Sequence, residues 1–177
     1  MSANLKKVTD DIWVDGVQTV DSLAEAKATF KSVIYLAQDT EDDMGIPGGF
    51  ETVSKKFPGA ARFLPFNPTA TPYNGTCEPL HAMQAFGKYE RALDELPRPT
   101  LVLCKSGARA SAVVAPYVAS KQGQSCSECL QCSQEKGLLF PNIPGMARWV
   151  ETCVSNMSAK PLIFRQMFEK ESSTYTY

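Results

Sequence analysis

The stretch Leu101-Val102-Leu103-Cys104-Lys105-Ser106-Gly107-Ala108-Arg109-Ala110-Ser111 decides how the rest of the chain is interpreted. An apolar run ends at a cysteine, and a short polar loop with a glycine leads to an arginine. Residues 100–103 have the composition of a buried parallel strand. Apolar residues then recur at helical spacing: Ala110, Val113, Val114, Tyr117 and Val118. Cys104 is therefore predicted at the carboxyl end of a strand and below a helix N-terminus, where open α/β sheets bind ligands.

Cysteine, glycine and arginine in this order are typical of a nucleophile that faces an anion. A free thiol is mostly protonated at neutral pH, and N–H groups of a loop and a helix N-terminus stabilise its thiolate. Gly107 lets the backbone pass close to an anion, and Arg109 offers paired donors to two oxygens. The predicted catalytic residues are Cys104 and Arg109. The predicted substrate-binding residues are Lys105, Ser106, Gly107, Ala108, Ala110 and Ser111. A structural cysteine beside an unrelated loop is the alternative.

Length and composition favour a single soluble domain over residues 1–177. The net charge of −1 argues against nucleic acid or a membrane surface as a partner. The first residues lack the apolar segment of a secretory signal, and no apolar run is long enough to span a bilayer. Six cysteines are too few for a disulfide scaffold. We therefore expect a soluble protein of the cytoplasm or of an organelle interior with reducing conditions.

Strands alternate with helices along the first two thirds of the chain. Besides residues 100–103, strands are predicted at 11–17, 32–37 and 61–66. Asp21 is predicted to cap the first helix, and Pro116 to kink or end the helix that follows the cysteine loop. The acidic residues 38–49 are predicted to form a solvated loop, with the rim of the ligand crevice as the alternative. The only histidine, His81, is interpreted as a surface residue rather than a catalyst.

Three cysteines recur at the spacing of a partial zinc or iron–sulfur site: Cys126, Cys129 and Cys132. Cys153 or Cys77 would then be the fourth ligand. Residues 125–136 instead favour a helix with Ser125 as N-cap and Gly137 after its end. On a helix the first and third cysteines lie about 9 Å apart along the axis, too far for one metal ion. We therefore predict no metal or cofactor, with a zinc or iron–sulfur site at the three cysteines as the alternative.

The Cys-x4-Arg loop resembles the loops of rhodanese and of protein tyrosine phosphatase-like domains. Residues 8–16, the helix from Asp21 and residues 31–36 narrow the resemblance to the phosphatase-like domain of bacterial β-lactamase-hydrolase-like proteins. The resemblance covers about residues 5–122 and leaves a helical C-terminal extension at about 125–171. It implies a phosphatase-type α/β fold with a central, mostly parallel sheet that is flanked by helices on both faces. It also implies that Cys104 is the nucleophile, that Arg109 binds the oxyanion and that the backbone of residues 105–110 cradles it.

Three departures from a typical tyrosine phosphatase leave the reaction open. Leu103 stands where histidine precedes the nucleophile, and the loop is one residue shorter. Ala110 stands where a serine or threonine follows the arginine. Residues 67–77 contain no aspartate to act as general acid, and Glu78 is the only nearby carboxyl group.

Three functions remain compatible with these residues. Hydrolysis of a phosphomonoester through a phosphocysteine is favoured because of the long resemblance upstream of Cys104. Rhodanese-type sulfur transfer through a persulfide on Cys104 is the first alternative, because sulfur transfer needs a smaller cradle and no protonated alkoxide. An inactive pseudo-phosphatase that only binds an anion is the second. The expected partner is a phosphorylated or sulfur-bearing anionic substrate.

Overall fold

The computed structural model describes residues 5–16, 20–38, 46, 48–66 and 79–157. Five strands form one sheet: β1 (Lys6–Lys7), β2 (Ile12–Asp15), β3 (Ser32–Tyr35), β4 (Ala61–Phe63) and β5 (Thr100–Leu103). Their order in the sheet is β1-β2-β5-β3-β4. β1 runs antiparallel to β2, and every other adjacent pair is parallel. The predicted α/β class with a mostly parallel sheet is confirmed.

Helices cover both faces of this sheet. The described residues form α1 (Val20–Thr29), α2 (Gly49–Lys56), α3 (Pro79–Glu95), α4 (Ala108–Gln122), α5 (Cys126–Glu135) and α6 (residues 144–157). One apolar cluster joins the sheet to α1 and α2 through Leu23, Phe30 and Val53. The other joins the opposite face to α3, α4, α5 and α6, and includes Phe86 and Trp149. Burial on both faces explains why the inner strands are mostly apolar and do not alternate between apolar and polar residues.

The middle strand of the sheet is β5, the strand that leads into the cysteine loop. It pairs with β2 on one side and β3 on the other, so that Leu103 lies between Asp15 and Tyr35. All four of its residues are buried. Because side chains alternate along a strand, Leu103 packs in the cluster with α1 and α2, whereas Cys104 packs in the opposite cluster. Cys104 therefore leaves the carboxyl end of the sheet on the face that α4 covers.

Some predicted boundaries differ from the structure. Residues Lys6–Lys7 form an edge strand that the sequence did not indicate, because two consecutive lysines carry no strand pattern. Helix α1 begins at Val20, so Asp21 lies in its first turn rather than at the N-cap. The early helix end at Pro116 is wrong, since α4 continues to Gln122. Apolar packing of the buried α4 against the sheet offsets the hydrogen bond that proline removes.

Other predicted features fall outside the described residues. They are most of the acidic residues 38–49, residues 67–77 with Glu78, and the last predicted helix near residues 162–168. His81 lies in α3, and its side chain is also outside the described part. None of the helices in the described ranges combines the length and the apolar composition that crossing a bilayer requires.

A polar cluster on the surface joins α3 to α4. The Tyr117 hydroxyl donates to Asp94 Oδ1 at 2.9 Å, and Lys121 Nζ lies 3.0 Å from the same oxygen. Burial by itself would raise the pKa of Asp94, but hydrogen bonds from Lys121 and Tyr117 outweigh it and hold the pKa below its ordinary 3.8. The carboxylate is thus more stable in the folded chain than in the unfolded one.

Replacing this carboxylate should have a small, pH-dependent effect. Asp94→Asn is expected to lower the free energy of unfolding at neutral pH by less than about 1 kcal/mol, because the pair is partly exposed. A lowered folded-state pKa means that the contribution is present above pH 3.8 and is lost as the pH falls through the folded-state value. Urea unfolding of wild type and variant across this range measures the difference. Glu95→Gln, on the same helix and exposed, is the control; a difference that grows on acidification would contradict the assignment.

Candidate active site

The connection from β5 to α4 is a tight loop with Cys104 at its base. The Cys104 N–H donates to the Asp15 carbonyl at 3.3 Å, so the chain is still paired with β2 at this point. The cysteine itself is fully buried. Gly107 has φ of +86° and immediately precedes α4. Because side chains rarely tolerate that conformation, glycine is the residue that lets the loop turn directly into the helix.

The sulfur of Cys104 accepts two backbone hydrogen bonds from its own loop. The Gly107 N–H donates at 3.1 Å and the Ala110 N–H at 3.4 Å. Both donors stand at the N-terminus of α4, where N–H groups have no partner within the helix. N–H groups at a helix N-terminus, together with the positive end of the helix dipole, can bind an anion. The arrangement therefore places a cysteine sulfur beside donors of the kind that hold anions.

Arg109 lies beside this loop and is almost entirely buried, with 6% of its surface exposed. Its Nη1 donates to the Phe66 carbonyl at 3.4 Å. Phe66 follows β4 at the carboxyl edge of the sheet, and its own N–H donates to the Leu36 carbonyl. The guanidinium is therefore held at the same edge as Cys104. The contact with the Phe66 carbonyl could not be foreseen, because a backbone acceptor has no sequence signature.

The other predicted substrate-binding residues lie in the same loop and first helical turn. The side chains of Lys105 and Ser106 are exposed, whereas Ala108 and Ala110 are buried. The Ser106 hydroxyl accepts a hydrogen bond from the Ala108 N–H at 3.4 Å. Only backbone groups of this segment are directed at the Cys104 sulfur in the contacts described above. The cradling of an anion by the backbone of residues 105–110, which the resemblance implied, stays a prediction.

Ser111 occupies a different environment from the rest of the predicted set. Its buried hydroxyl donates to the Ala108 carbonyl at 2.8 Å and accepts from the Phe140 N–H at 3.4 Å. These bonds connect the first turn of α4 to the 3-10 turn Phe140–Asn142 between α5 and α6. Direct binding of substrate by Ser111 stays a prediction.

The end of β2, at Asp15 and Gly16, lies against the loop that follows Cys104. The sequence did not indicate that these two residues belong to the site. Gly16 forms an isolated antiparallel bridge with Ser106. The carboxylate of Asp15 is buried and accepts the Gly16 N–H at 2.7 Å. An aspartate and a glycine near the end of the strand predicted at residues 11–17 were the only available signal. That signal could not reveal the partner, which comes from the distant cysteine loop.

The three regularly spaced cysteines lie on α5, as the helical interpretation predicted. Ser125 caps the helix, and Glu128 completes a capping box with it. Burial, together with the neighbouring thiols, raises the pKa of Cys129 to about 11, so this thiol is protonated at neutral pH. Within the described ranges no group of three or more histidine, cysteine, aspartate or glutamate side chains is arranged to hold a metal ion. The proposed fourth ligand Cys77 lies outside these ranges.

Several solved structures share the fold of this chain. The active form of Tk-PTP superposes with a TM-score of 0.65 at 16% identity, covering 88% of this chain and 99% of that chain. PTPMT1 gives 0.64 at 14% identity, covering 89% and 98%.

A third similar structure is TpbA from P. aeruginosa, a cysteine-to-serine variant in complex with phosphotyrosine. It gives a TM-score of 0.60 at 16% identity, with 89% of each chain covered. No known family profile and no curated protein sequence matches the chain. At such low identities the structural similarity establishes the fold. The phosphatase-type α/β fold that the family resemblance implied is therefore confirmed.

Proposed function

We propose that this chain hydrolyses a phosphomonoester through a phosphocysteine intermediate on Cys104. The observation that carries the proposal is the Cys104 sulfur at the base of the loop, where two backbone N–H groups donate to it. Arg109 is buried beside the same loop and supplies a fixed positive charge. Solved structures of the same fold are phosphatases, and one of them binds phosphotyrosine. An aryl phosphate such as phosphotyrosine is therefore the substrate class that we propose.

The reaction would proceed in two displacements at phosphorus. The Cys104 thiolate attacks, the S–P bond forms, and the ester P–O bond breaks with release of a phenolate or alkoxide. Water then attacks the phosphocysteine, the S–P bond breaks, and inorganic phosphate leaves as the thiolate is restored. In both steps the loop N–H groups and Arg109 stabilise charge on the equatorial oxygens. No metal ion or cofactor enters these steps.

The leaving group should matter strongly in the first displacement. Without an acid to protonate a leaving alkoxide, a factor of about 10²–10⁴ is typically lost. Residues 67–77, where related phosphatases would carry the general acid, contain no aspartate. Glu78 is the only carboxyl residue next to this segment in the sequence. A phenolate is a better leaving group than an alkoxide and depends less on that proton. This chemistry supports aryl phosphates over alkyl phosphates.

Mass spectrometry of the intermediate tests the proposal. The protein is mixed with 4-nitrophenyl phosphate, quenched rapidly and digested, and a parallel sample receives thiosulfate instead. The expected result is a phosphate adduct on the peptide that contains Cys104, and no adduct in the Cys104→Ser variant.

Two other outcomes would overturn the proposal. A sulfur adduct on Cys104 after thiosulfate, with none after the aryl phosphate, would indicate sulfur transfer. Tight binding of inorganic phosphate without any adduct or turnover would indicate a pseudo-phosphatase. Both results would leave Cys104 and its loop as an anion site while rejecting phosphate hydrolysis.

A further inference from the structure

We propose that Gly16 is a positioning residue. Because it has no side chain, the Gly107 N–H can occupy the position from which it donates a hydrogen bond to the Cys104 sulfur. Gly16 follows β2 and forms a bridge with Ser106. A Cβ atom at Gly16 would lie 3.1 Å from the Ser106 carbonyl carbon, 3.2 Å from the Lys105 carbonyl oxygen and 3.3 Å from the Ser106 Cα. All three neighbours are backbone atoms, so no side chain can rotate away to make room.

The contact reaches the nucleophile through one rigid unit. The Ser106 carbonyl carbon and the Gly107 nitrogen belong to the same planar peptide, and one cannot move without the other. That Gly107 N–H donates to the Cys104 sulfur at 3.1 Å. A methyl group at Gly16 would therefore push the peptide that carries this donor by a few tenths of an ångström. The displacement acts on the anion cradle itself rather than on the core.

The remaining contacts of this strand end hold the same geometry. The Asp15 carbonyl accepts the Cys104 N–H at 3.3 Å, which fixes the start of the loop. The Asp15 carboxylate accepts the Gly16 N–H at 2.7 Å, which fixes the end of β2. The φ of Gly16 lies outside the left-handed region, so alanine is compatible with its backbone conformation. Close approach to the loop, rather than backbone strain, is the reason for glycine at this position.

The inference rests on the proposed phosphatase function for its catalytic readout, and a second readout is independent of that function. A loop that binds anions should make Cys104 react faster with iodoacetate than with iodoacetamide, relative to a small free thiol, because only iodoacetate carries a negative charge. This rate ratio reports the shape of the cradle even in a protein that hydrolyses nothing. Both reagents attack the same sulfur, so a general loss of accessibility cancels in the ratio.

The experiment compares Gly16→Ala with Gly87→Ala. Gly87 lies in α3, and a Cβ there would meet no atom within 4 Å, so the same substitution tests no contact. Gly16→Ala should lower kcat/KM on an aryl phosphate by about 10- to 100-fold, as small misplacements of catalytic groups do. It should also lower the iodoacetate-to-iodoacetamide ratio by about 3- to 10-fold through the weakened cradle. Gly87→Ala should change neither quantity.

Folding and loop geometry are checked in the same samples. Both variants are measured well below their unfolding temperatures, and amide NMR spectra follow the Gly107 N–H directly. The Gly107 resonance should move in Gly16→Ala and stay in place in Gly87→Ala. An unchanged ratio together with an unchanged Gly107 resonance in Gly16→Ala would overturn the inference. If the wild-type protein hydrolyses no phosphate ester but Gly16→Ala still changes the ratio and the Gly107 resonance, the proposed function is rejected and the role of Gly16 stands.

Discussion

Replacing Cys104 by serine is expected to abolish turnover while anion binding survives. A hydroxyl is a far weaker nucleophile than a thiolate, and loss of a nucleophile costs on the order of 10⁴- to 10⁶-fold in kcat. In the proposed site the anion is held by backbone N–H donors and Arg109, and the substitution removes none of these groups. Steady-state kinetics on 4-nitrophenyl phosphate and calorimetry with inorganic phosphate measure the two effects separately.

Cys132→Ser is the matched control for this substitution. Cys132 is a half-buried cysteine of α5, on a helix that does not contribute to the loop. Turnover in this variant should stay within about twofold of wild type, since surface substitutions away from special features have small effects. Residual activity of Cys104→Ser comparable to that of Cys132→Ser would mean that the nucleophile lies elsewhere.

The second large effect is expected at Arg109, for reasons of shape as well as charge. Removal of a donor that stabilises the transition state typically costs about 10²–10³ in rate. Lysine keeps the positive charge but lacks the planar fork that binds two oxygens, so Arg109→Lys should already lose most activity. It would also leave the Phe66 carbonyl, which now accepts a hydrogen bond from Nη1, dependent on a single ammonium group.

Lys105→Ala removes a positive charge one residue after the proposed nucleophile. Comparison with Arg109→Lys therefore distinguishes the effect of nearby charge from the effect of paired donor geometry. The Lys105 side chain is exposed, and only its backbone belongs to the predicted cradle. Its loss should therefore keep kcat/KM within about tenfold, equivalent to about 1.4 kcal/mol. Measuring both variants on one aryl phosphate compares them directly. A dead Lys105→Ala beside an active Arg109→Lys would show that the orientation of the loop is wrong.

The sequence was informative where function and local structure depend on neighbouring residues. The strand before Cys104, the turn at Gly107 and the helix after it are all local patterns, and the structure has each of them. The helix over Cys126–Glu135 was likewise predictable, because Ser125 and Glu128 form a local capping box. Such patterns involve only residues that are close in the sequence, so they can be recognised without knowledge of the fold.

Contacts between distant segments could not be predicted in the same way. Gly16 contacts Ser106 only because β2 and β5 are adjacent in the sheet. The order of strands in a sheet cannot be predicted from the sequence of any one strand. The Phe66 carbonyl that receives Arg109 is a backbone group, which every residue type offers. The edge strand Lys6–Lys7 is polar and short, so its pairing with β2 leaves no trace in the hydrophobic pattern.

The central position of β5 has a consequence for how the chain acquires its site. Thr100 at the start of β5 contacts Ser32 of β3, 68 residues earlier in the chain, and β2 lies further back still. Bringing such distant segments together costs conformational entropy before the strand contacts form. Sheets whose neighbouring strands are far apart in sequence therefore fold slowly. Fragments that end before Thr100, such as those made during synthesis, lack the strand that carries the nucleophile. Because β2 and β3 are joined only through β5, the sheet cannot be completed, and the loop after Cys104 cannot be held in place, before this segment of the chain is available.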